Sequence, residues 1–159
     1  MTRVYVSIGS NIEPETQLRF SLAALRQHFN ELLESPVYRS KAMGFDGPDF
    51  LNMVVAFDTK ITAEHVHDKL SSIERESGRL KTGKQFASRT LDLDMLLYGN
   101  EIIDALHIPR DEIERYAFVL KPLCDIAPDV CHPITGTSML ELWQGFNDDE
   151  QELNQVKLY

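Results

Sequence analysis

The chain has 159 residues, 43% of them apolar, enough for one well-buried core and short for two, so a single domain over residues 1–159 is expected. Its 16 basic residues against 25 acidic ones leave a net charge of −9, which disfavours non-specific nucleic-acid binding and general attraction to anionic membranes. Two isolated cysteines, Cys124 and Cys131, exclude a disulfide framework and read as small buried hydrophobes; with no signal-like leader and no run near the ~20 apolar residues of a membrane span, a soluble cytoplasmic protein is expected.

Residues 4–8 form a short β-rich run, which Gly9-Ser10-Asn11 is expected to close as a turn. Leu18, Leu22, Leu25 and Phe29 recur at helical spacing and predict an amphipathic helix over 15–29 with that stripe in the core. A second strand over 34–40 contains Pro36, which lacks the N–H that a central strand needs and therefore suits an edge. Gly44, Gly47 and Pro48 make 41–49 a loop, and the Val54-Val55-Ala56-Phe57 centre makes 50–59 a more buried third strand. Thr62 is placed to cap a helix carrying Val66, Leu70 and Ile73 on one face, with Gly78 as the residue that ends it. A basic loop over 79–88 follows, then a strand over 90–98 and a turn at Tyr98-Gly99-Asn100-Glu101.

The order β-α-β-β-α-β predicts an α+β, ferredoxin-like antiparallel sheet with both helices on one face and the other face open to a ligand. Beyond Pro109 the pattern predicts additional short C-terminal helices over 112–124 and 138–146, the second capped at Thr137 or Ser138, and a weakly ordered acidic tail over 147–154. His65, His67, His107 and His132 read as surface or satisfied polar positions, and His28 as solvent-facing.

The fourth strand carries the chemistry. In Arg89-Thr90-Leu91-Asp92-Leu93-Asp94-Met95-Leu96-Leu97 two aspartates stand two apart in an apolar run. At roughly 3.3 Å rise per residue they share one face, about 6.6 Å from each other. Charge in a sheet is costly to desolvate unless it is paired or metal-bound, and Mg²⁺ takes one or two carboxylates while water and substrate phosphates complete its octahedron. For Asp-x-Asp alone, a solvent-facing strand end or a pairing with Arg89 is the commoner outcome. Arg75, Arg79, Lys81, Lys84 and Arg89, clustered just ahead of the aspartates, shift the reading from a solvated loop to nucleotide chemistry.

With these elements in order, the chain resembles the 6-hydroxymethyl-7,8-dihydropterin pyrophosphokinase family of folate biosynthesis along nearly its whole length. The resemblance rests on Arg89-Thr90-Leu91-Asp92-Leu93-Asp94 with Met95-Leu96-Leu97-Tyr98-Gly99-Asn100. It is supported by Ser7-Ile8-Gly9-Ser10-Asn11, Asp49-Phe50-Leu51-Asn52, Ile73-Glu74 with Gly78-Arg79, and Ile126-Ala127-Pro128. It implies an ATP-dependent diphosphotransferase that moves the β,γ-diphosphate of ATP to the hydroxymethyl group of a reduced pterin, releases AMP, and holds two Mg²⁺ ions on Asp92 and Asp94.

By the same resemblance Arg89, Lys81 and Lys84 would steady the triphosphate, with Glu74, Phe86, Arg110 and Arg115 completing the nucleotide side. Phe50 and Phe118 would sandwich the pterin, Asn52 would pair with its edge, and the loop from Ser40 to Gly44, with Met43 in it, would close around it through backbone groups. The 79–88 loop, with Gly83 and with Phe86 as its latch, would fold over ATP and exclude water. The implied protein is a monomer whose partners are pterin and ATP, with no nucleic acid and no membrane.

The chain departs from the family pattern on the nucleotide side. After Ile108-Pro109 the family usually has histidine and, some six positions later, arginine; here these are Arg110 and Tyr116. Arg110 keeps a cation but cannot serve as an acid near neutral pH, and Tyr116 carries no charge. Arg115 is one residue away, a rotation of about 100° on a helix. Lys81 stands where arginine is usual, Phe86 where tryptophan is and Ser88 where proline is. A working pyrophosphokinase is the favoured reading because Asp92, Asp94, Asn52 and Glu74 remain. The alternatives are a divergent member that binds pterin or nucleotide without efficient catalysis, as a binding or regulatory module, and an unrelated metal-dependent phosphohydrolase, which the pterin-site matches argue against.

Overall fold

The computed structural model describes residues 1–44, 46–79, 91–147, 149 and 151–158. In chain order the elements are β1 (Thr2–Ser10), α1 (Pro14–Phe29), β2 (Leu33–Glu34), β3 (Val37–Ser40), β4 (Phe50–Thr59), α2 (Ala63–Arg79) and β5 (Asp92–Tyr98). A 3₁₀ turn at Asp104–Leu106 leads to α3 (Glu112–Arg115), α4 (Ala117–Ile126), α5 (Met139–Gln144) and β6 (Asn154–Val156). The sheet has the order β5-β1-β4-β3-β6, with β2 also on β4 and every pairing antiparallel. Its β5-β1-β4-β3 part with α1 and α2 is the ferredoxin-like unit that the element order predicts.

Two-residue periodicity decides what each face meets. Val4, Val6 and Ile8 of β1, Met53, Val55 and Phe57 of β4, and Leu93 and Met95 of β5 pack against the α1 stripe Leu18, Leu22, Leu25 and Phe29 and the α2 stripe Val66, Leu70 and Ile73. Each such side chain taken fully from water contributes about 1.5–3 kcal/mol. Thr62 starts α2 as expected, its Oγ1 accepting from the His65 N–H at 3.2 Å. Gly78 does not end the helix, which runs through it to Arg79.

The second face is not open along its whole length. Tyr5, Val54, Ala56, Leu96 and Leu97 form a second core with Ile113 of α3, Val119, Leu120 and Leu123 of α4, and Met139 of α5. A bulge opposite Tyr5 and Val6 leaves Leu96 without a partner in the register, so Leu96 and Leu97 both enter this core. The half of the face that these helices leave uncovered carries Ser7, Gly9, Asn52, Asp92 and Asp94.

Five further expectations are corrected. The run 34–40 breaks at Ser35-Pro36 into β2 and β3. Ser35 mends the ladder by giving its N–H to the Val54 carbonyl at 2.9 Å and accepting the Val54 N–H on its Oγ at 2.9 Å. β3 is not an edge, because β6 pairs outside it, Val37 with Val156 and Arg39 with Asn154. The end of the acidic tail is therefore tied down at Asn154, and beyond it Leu158 is buried with its carbonyl accepting from Arg19 at 2.6 Å. The helix expected over 112–124 is interrupted at Tyr116, which is extended at φ −126° and ψ 126°. Cys124 is buried, but Cys131 is exposed. Ser138 caps α5 in a reciprocal capping box with Glu141, as the sequence suggests. No helix of the described residues is long and apolar enough to cross a membrane.

Candidate active site

Three strands bring the uncovered half of the face together. Gly9 of β1 lies opposite Asn52 of β4 on one side and Asp92 of β5 on the other, and Ser7 lies opposite Val54 and Asp94. Gly9 is a strand residue and not the turn that the sequence suggests. A Cβ on it would stand 3.4 Å from Asn52 Oδ1, so glycine keeps the floor low between the amide and the aspartates. Asn52 is buried, and its Nδ2 donates to Ser40 Oγ at 2.8 Å and to the Tyr38 carbonyl at 3.2 Å. Two donated bonds fix the amide plane.

Over this floor opens a cavity of about 210 Å³. Ser40, Lys41, Met43, Phe50 and Asn52 form one side, Asp92, Asp94 and Glu112 another, and Tyr116, Phe118 and Val119 a third. Its volume falls below the roughly 300–1,000 Å³ of a drug-sized pocket, so it suits a small ring system and not a whole nucleotide. All five residues expected to hold the ring, Ser40, Met43, Phe50, Asn52 and Phe118, line it together with both aspartates.

The third side is where the sequence reading fell short. Tyr116 is extended at the junction of α3 and α4, and its ring stacks on that of Phe118 in the first turn of α4, with centroids 4.9 Å apart and planes 17° apart. Tyr116, read from sequence as the loss of a charge, is an aromatic wall. Arg115 is turned aside: it pairs with Asp111 at 3.3 Å, sits 5.1 Å from the Tyr116 ring centroid and donates to the Tyr116 hydroxyl at 3.2 Å. It is not among the residues lining the cavity.

Arg110 lies at the acidic end, where its Nη2 donates to Asp94 Oδ1 at 3.3 Å and its Nε to Glu112 Oε2 at 3.0 Å. Burial pushes the Glu112 carboxyl above its usual range, helped by neighbouring Asp111 and opposed by Arg110. Glu74, expected on the nucleotide side, accepts the Leu93 N–H at 2.9 Å and so holds the outer edge of β5 between the two aspartates. Lys81, Lys84, Phe86 and Arg89, with Gly83 and Ser88, lie outside the described residues.

Ser7, Gly9, Glu112 and Tyr116 were missed as lining residues, and Lys41 was covered only as part of the loop from Ser40 to Gly44. Alternation along Val4-Tyr5-Val6-Ser7-Ile8-Gly9 already puts the small residues on one face, so the first two had a signal. Tyr116 had none, since its place beside Phe118 depends on the break between α3 and α4, which the helical pattern over 112–124 does not mark.

The donor set fits a hard cation. Asp92 and Asp94 present carboxylates to one cavity, and the Asp94 side chain is 39% exposed. No group of three or more His, Cys, Asp or Glu placed to hold a metal ion occurs among the described residues. Two carboxylates beside open volume suit Mg²⁺, which keeps waters and phosphate oxygens in its shell, better than a metal held by protein alone.

The family model described as 7,8-dihydro-6-hydroxymethylpterin-pyrophosphokinase (HPPK) matches residues 5–128, a span that includes every residue lining the cavity. The chain belongs to the HPPK family. Relatives named 2-amino-4-hydroxy-6-hydroxymethyldihydropteridine pyrophosphokinase from Haemophilus influenzae and Pseudomonas aeruginosa are each 40% identical to it. The alignments cover 84% and 82% of this chain and 86% and 84% of those relatives. Among solved structures, wild-type HPPK-DHPS of Plasmodium falciparum superposes with a TM-score of 0.71 at 12% identity, over 90% of this chain and 44% of that one. At that identity the likeness concerns the fold, and the chain spans less than half of that solved chain. The HPPK match ends at residue 128, so α5, Gln151 and β6 lie beyond it.

Proposed function

We propose that the chain transfers the diphosphate of ATP to the hydroxymethyl oxygen of 6-hydroxymethyl-7,8-dihydropterin and releases AMP. The observation that carries this reading is one cavity, in a chain of the HPPK family, in which a carboxylate pair adjoins a slot walled by aromatic rings and a fixed amide. Phe50 and Phe118, with Tyr116 beside Phe118, offer flat faces to the fused ring, while Asn52 meets its amide-like edge. Asp92 and Asp94 are the residues that would hold two Mg²⁺ ions, and ions bound there would neutralise charge on the phosphate oxygens.

The protein's own part is positioning. The ring slot fixes the hydroxymethyl group beside the acidic end of the cavity, in line for attack on the β-phosphorus, where displacement of AMP needs alignment and charge stabilisation more than covalent help. Arg110 contacts Asp94 at that end, Lys41 lines the same cavity, and Lys81, Lys84 and Arg89 would add to them. We read the protein as a cytoplasmic monomer acting on small molecules, without nucleic acid or membrane partners.

Incubating the protein with Mg²⁺, ATP and the reduced hydroxymethylpterin and then separating the nucleotides tests the reaction. AMP that forms only with pterin is the expected product. Pterin binding without AMP would indicate a binding module, and ADP with phosphate a hydrolase. Asp94→Ala is expected to lower turnover by about 100-fold or more, the scale of removing one group that stabilises transition-state charge. Its circular dichroism should match the parent, since the side chain faces the cavity. Normal turnover by that variant would remove Asp94 from the metal site.

A further inference from the structure

The C-terminal segment reaches the ring slot from outside. Gln151 accepts the Ala117 N–H on its Oε1 at 2.8 Å and donates from its Nε2 to the Arg115 carbonyl at 3.0 Å. Arg115 is the last residue of α3 and Ala117 the first of α4, so both groups sit at helix ends that lack intrahelical partners. Between them stands Tyr116. One side-chain amide thus grips the peptide groups on either side of the residue whose ring stacks on Phe118.

The segment is anchored at its other end on the opposite wall. Three residues beyond Gln151, Asn154 pairs with Arg39 of β3, next to Ser40. A smaller cavity of about 160 Å³ lies between, lined by Ser40, Met43 and Phe118 of the ring slot and by Gln151 and Leu153 of the segment. The strap therefore spans from the Ser40 side of the slot to the Tyr116 side.

We propose that Gln151 is a positioning residue of the ring slot: by clamping the Arg115 carbonyl and the Ala117 N–H, it sets the Tyr116–Phe118 face against which the planar substrate lies. The inference rests on the proposed function for the identity of that substrate. Without the clamp, the link between α3 and α4 keeps the Tyr116 N–H bond to the Glu112 carbonyl and the bonds that Val119 and Leu120 give the Tyr116 carbonyl, but it loses the two that fix the flanking peptide groups, and the shared tilt of the rings is less closely set. Binding of the ring suffers first, because stacking requires a preformed face.

Two variants separate this role from general support. Gln151→Met keeps length without either hydrogen bond, and Gln151→Glu keeps an acceptor for Ala117 but loses the donor to Arg115. Calorimetric Kd values for 6-hydroxymethyl-7,8-dihydropterin are measured beside KM for ATP and Tm. The expected result is a pterin Kd about tenfold weaker in Gln151→Met and intermediate in Gln151→Glu, with KM for ATP within about twofold of the parent. Unchanged pterin Kd in the folded variants, or an equal loss for both substrates, would overturn the proposal. If Gln151→Met does not fold, the pterin Kd of Gln151→Glu decides alone. A parent protein that binds pterin but forms no AMP would refute the proposed function while leaving the Kd comparison decisive for Gln151. A parent that does not bind pterin would refute both.

Discussion

Arg110 is held between two carboxylates, and that contact bears directly on how a divalent cation reaches the site. Its pairs with Asp94 and Glu112 are partly exposed, so each is worth at most about 1 kcal/mol. A cation that takes Asp94 Oδ1 competes with the guanidinium for it. Arg110→Ala is therefore expected to lower the Mg²⁺ concentration for half-maximal turnover by up to about fivefold, the equivalent of 1 kcal/mol. Arg110→Lys, which keeps the charge, should move it less. An unchanged Mg²⁺ midpoint in Arg110→Ala, at saturating ATP, would show that the two cations do not compete. The aspartates themselves were legible because the alternation of a strand needs no knowledge of its partners. Arg115 and Tyr116 were not, because the roles of neighbours trade places when the backbone changes from helical to extended.

At the scale of elements, a buried hydroxyl ties the sheet to its second layer. Tyr38 of β3 donates to the Asp125 carboxylate of α4, and burial first, then that bond, raises the Tyr38 pKa above its ordinary value. A phenol whose folded pKa is raised contributes stability that is complete below the unfolded value of about 10 and is lost as pH rises through the folded value. Tyr5 and Cys124 are also raised by burial, so the parent's alkaline decline has several sources. The difference between parent and Tyr38→Phe isolates one of them: Tyr38→Phe should be less stable at neutral pH, and the gap in Tm should shrink above about pH 10. A gap constant from pH 7 to alkaline pH would mean that Tyr38 titrates as it does unfolded. The helices α1 and α2 were legible from their stripes, whereas β6 is three residues long and mostly polar, so its strand character comes from the free edge of β3 and from nothing in its own composition.

For the whole molecule, one sheet supports two cores, and the same strands feed both. Val4 and Val6 face one core while Tyr5, between them, faces the other; Met53 and Val55 alternate in the same way with Val54 and Ala56. The sequence pattern gives the first core directly, but it leaves the second face open because the short helices after residue 109 show no partner until the bulge at Leu96 turns two leucines toward them. Neither core can melt while the other keeps its strands in register, which also stiffens the sheet end that forms the cavity floor. Leu22 and Leu123 are both fully buried, one in each core. Leu22→Ala and Leu123→Ala are each expected to cost about 2–5 kcal/mol. Both should lower a single Tm, by about 2–4 °C for each kcal/mol at this chain length. Calorimetric and van't Hoff enthalpies should agree in the parent and in both variants. If Leu123→Ala instead split the transition in two, the second layer would be an independent unit, and the aromatic wall of the ring slot would be detachable from its floor.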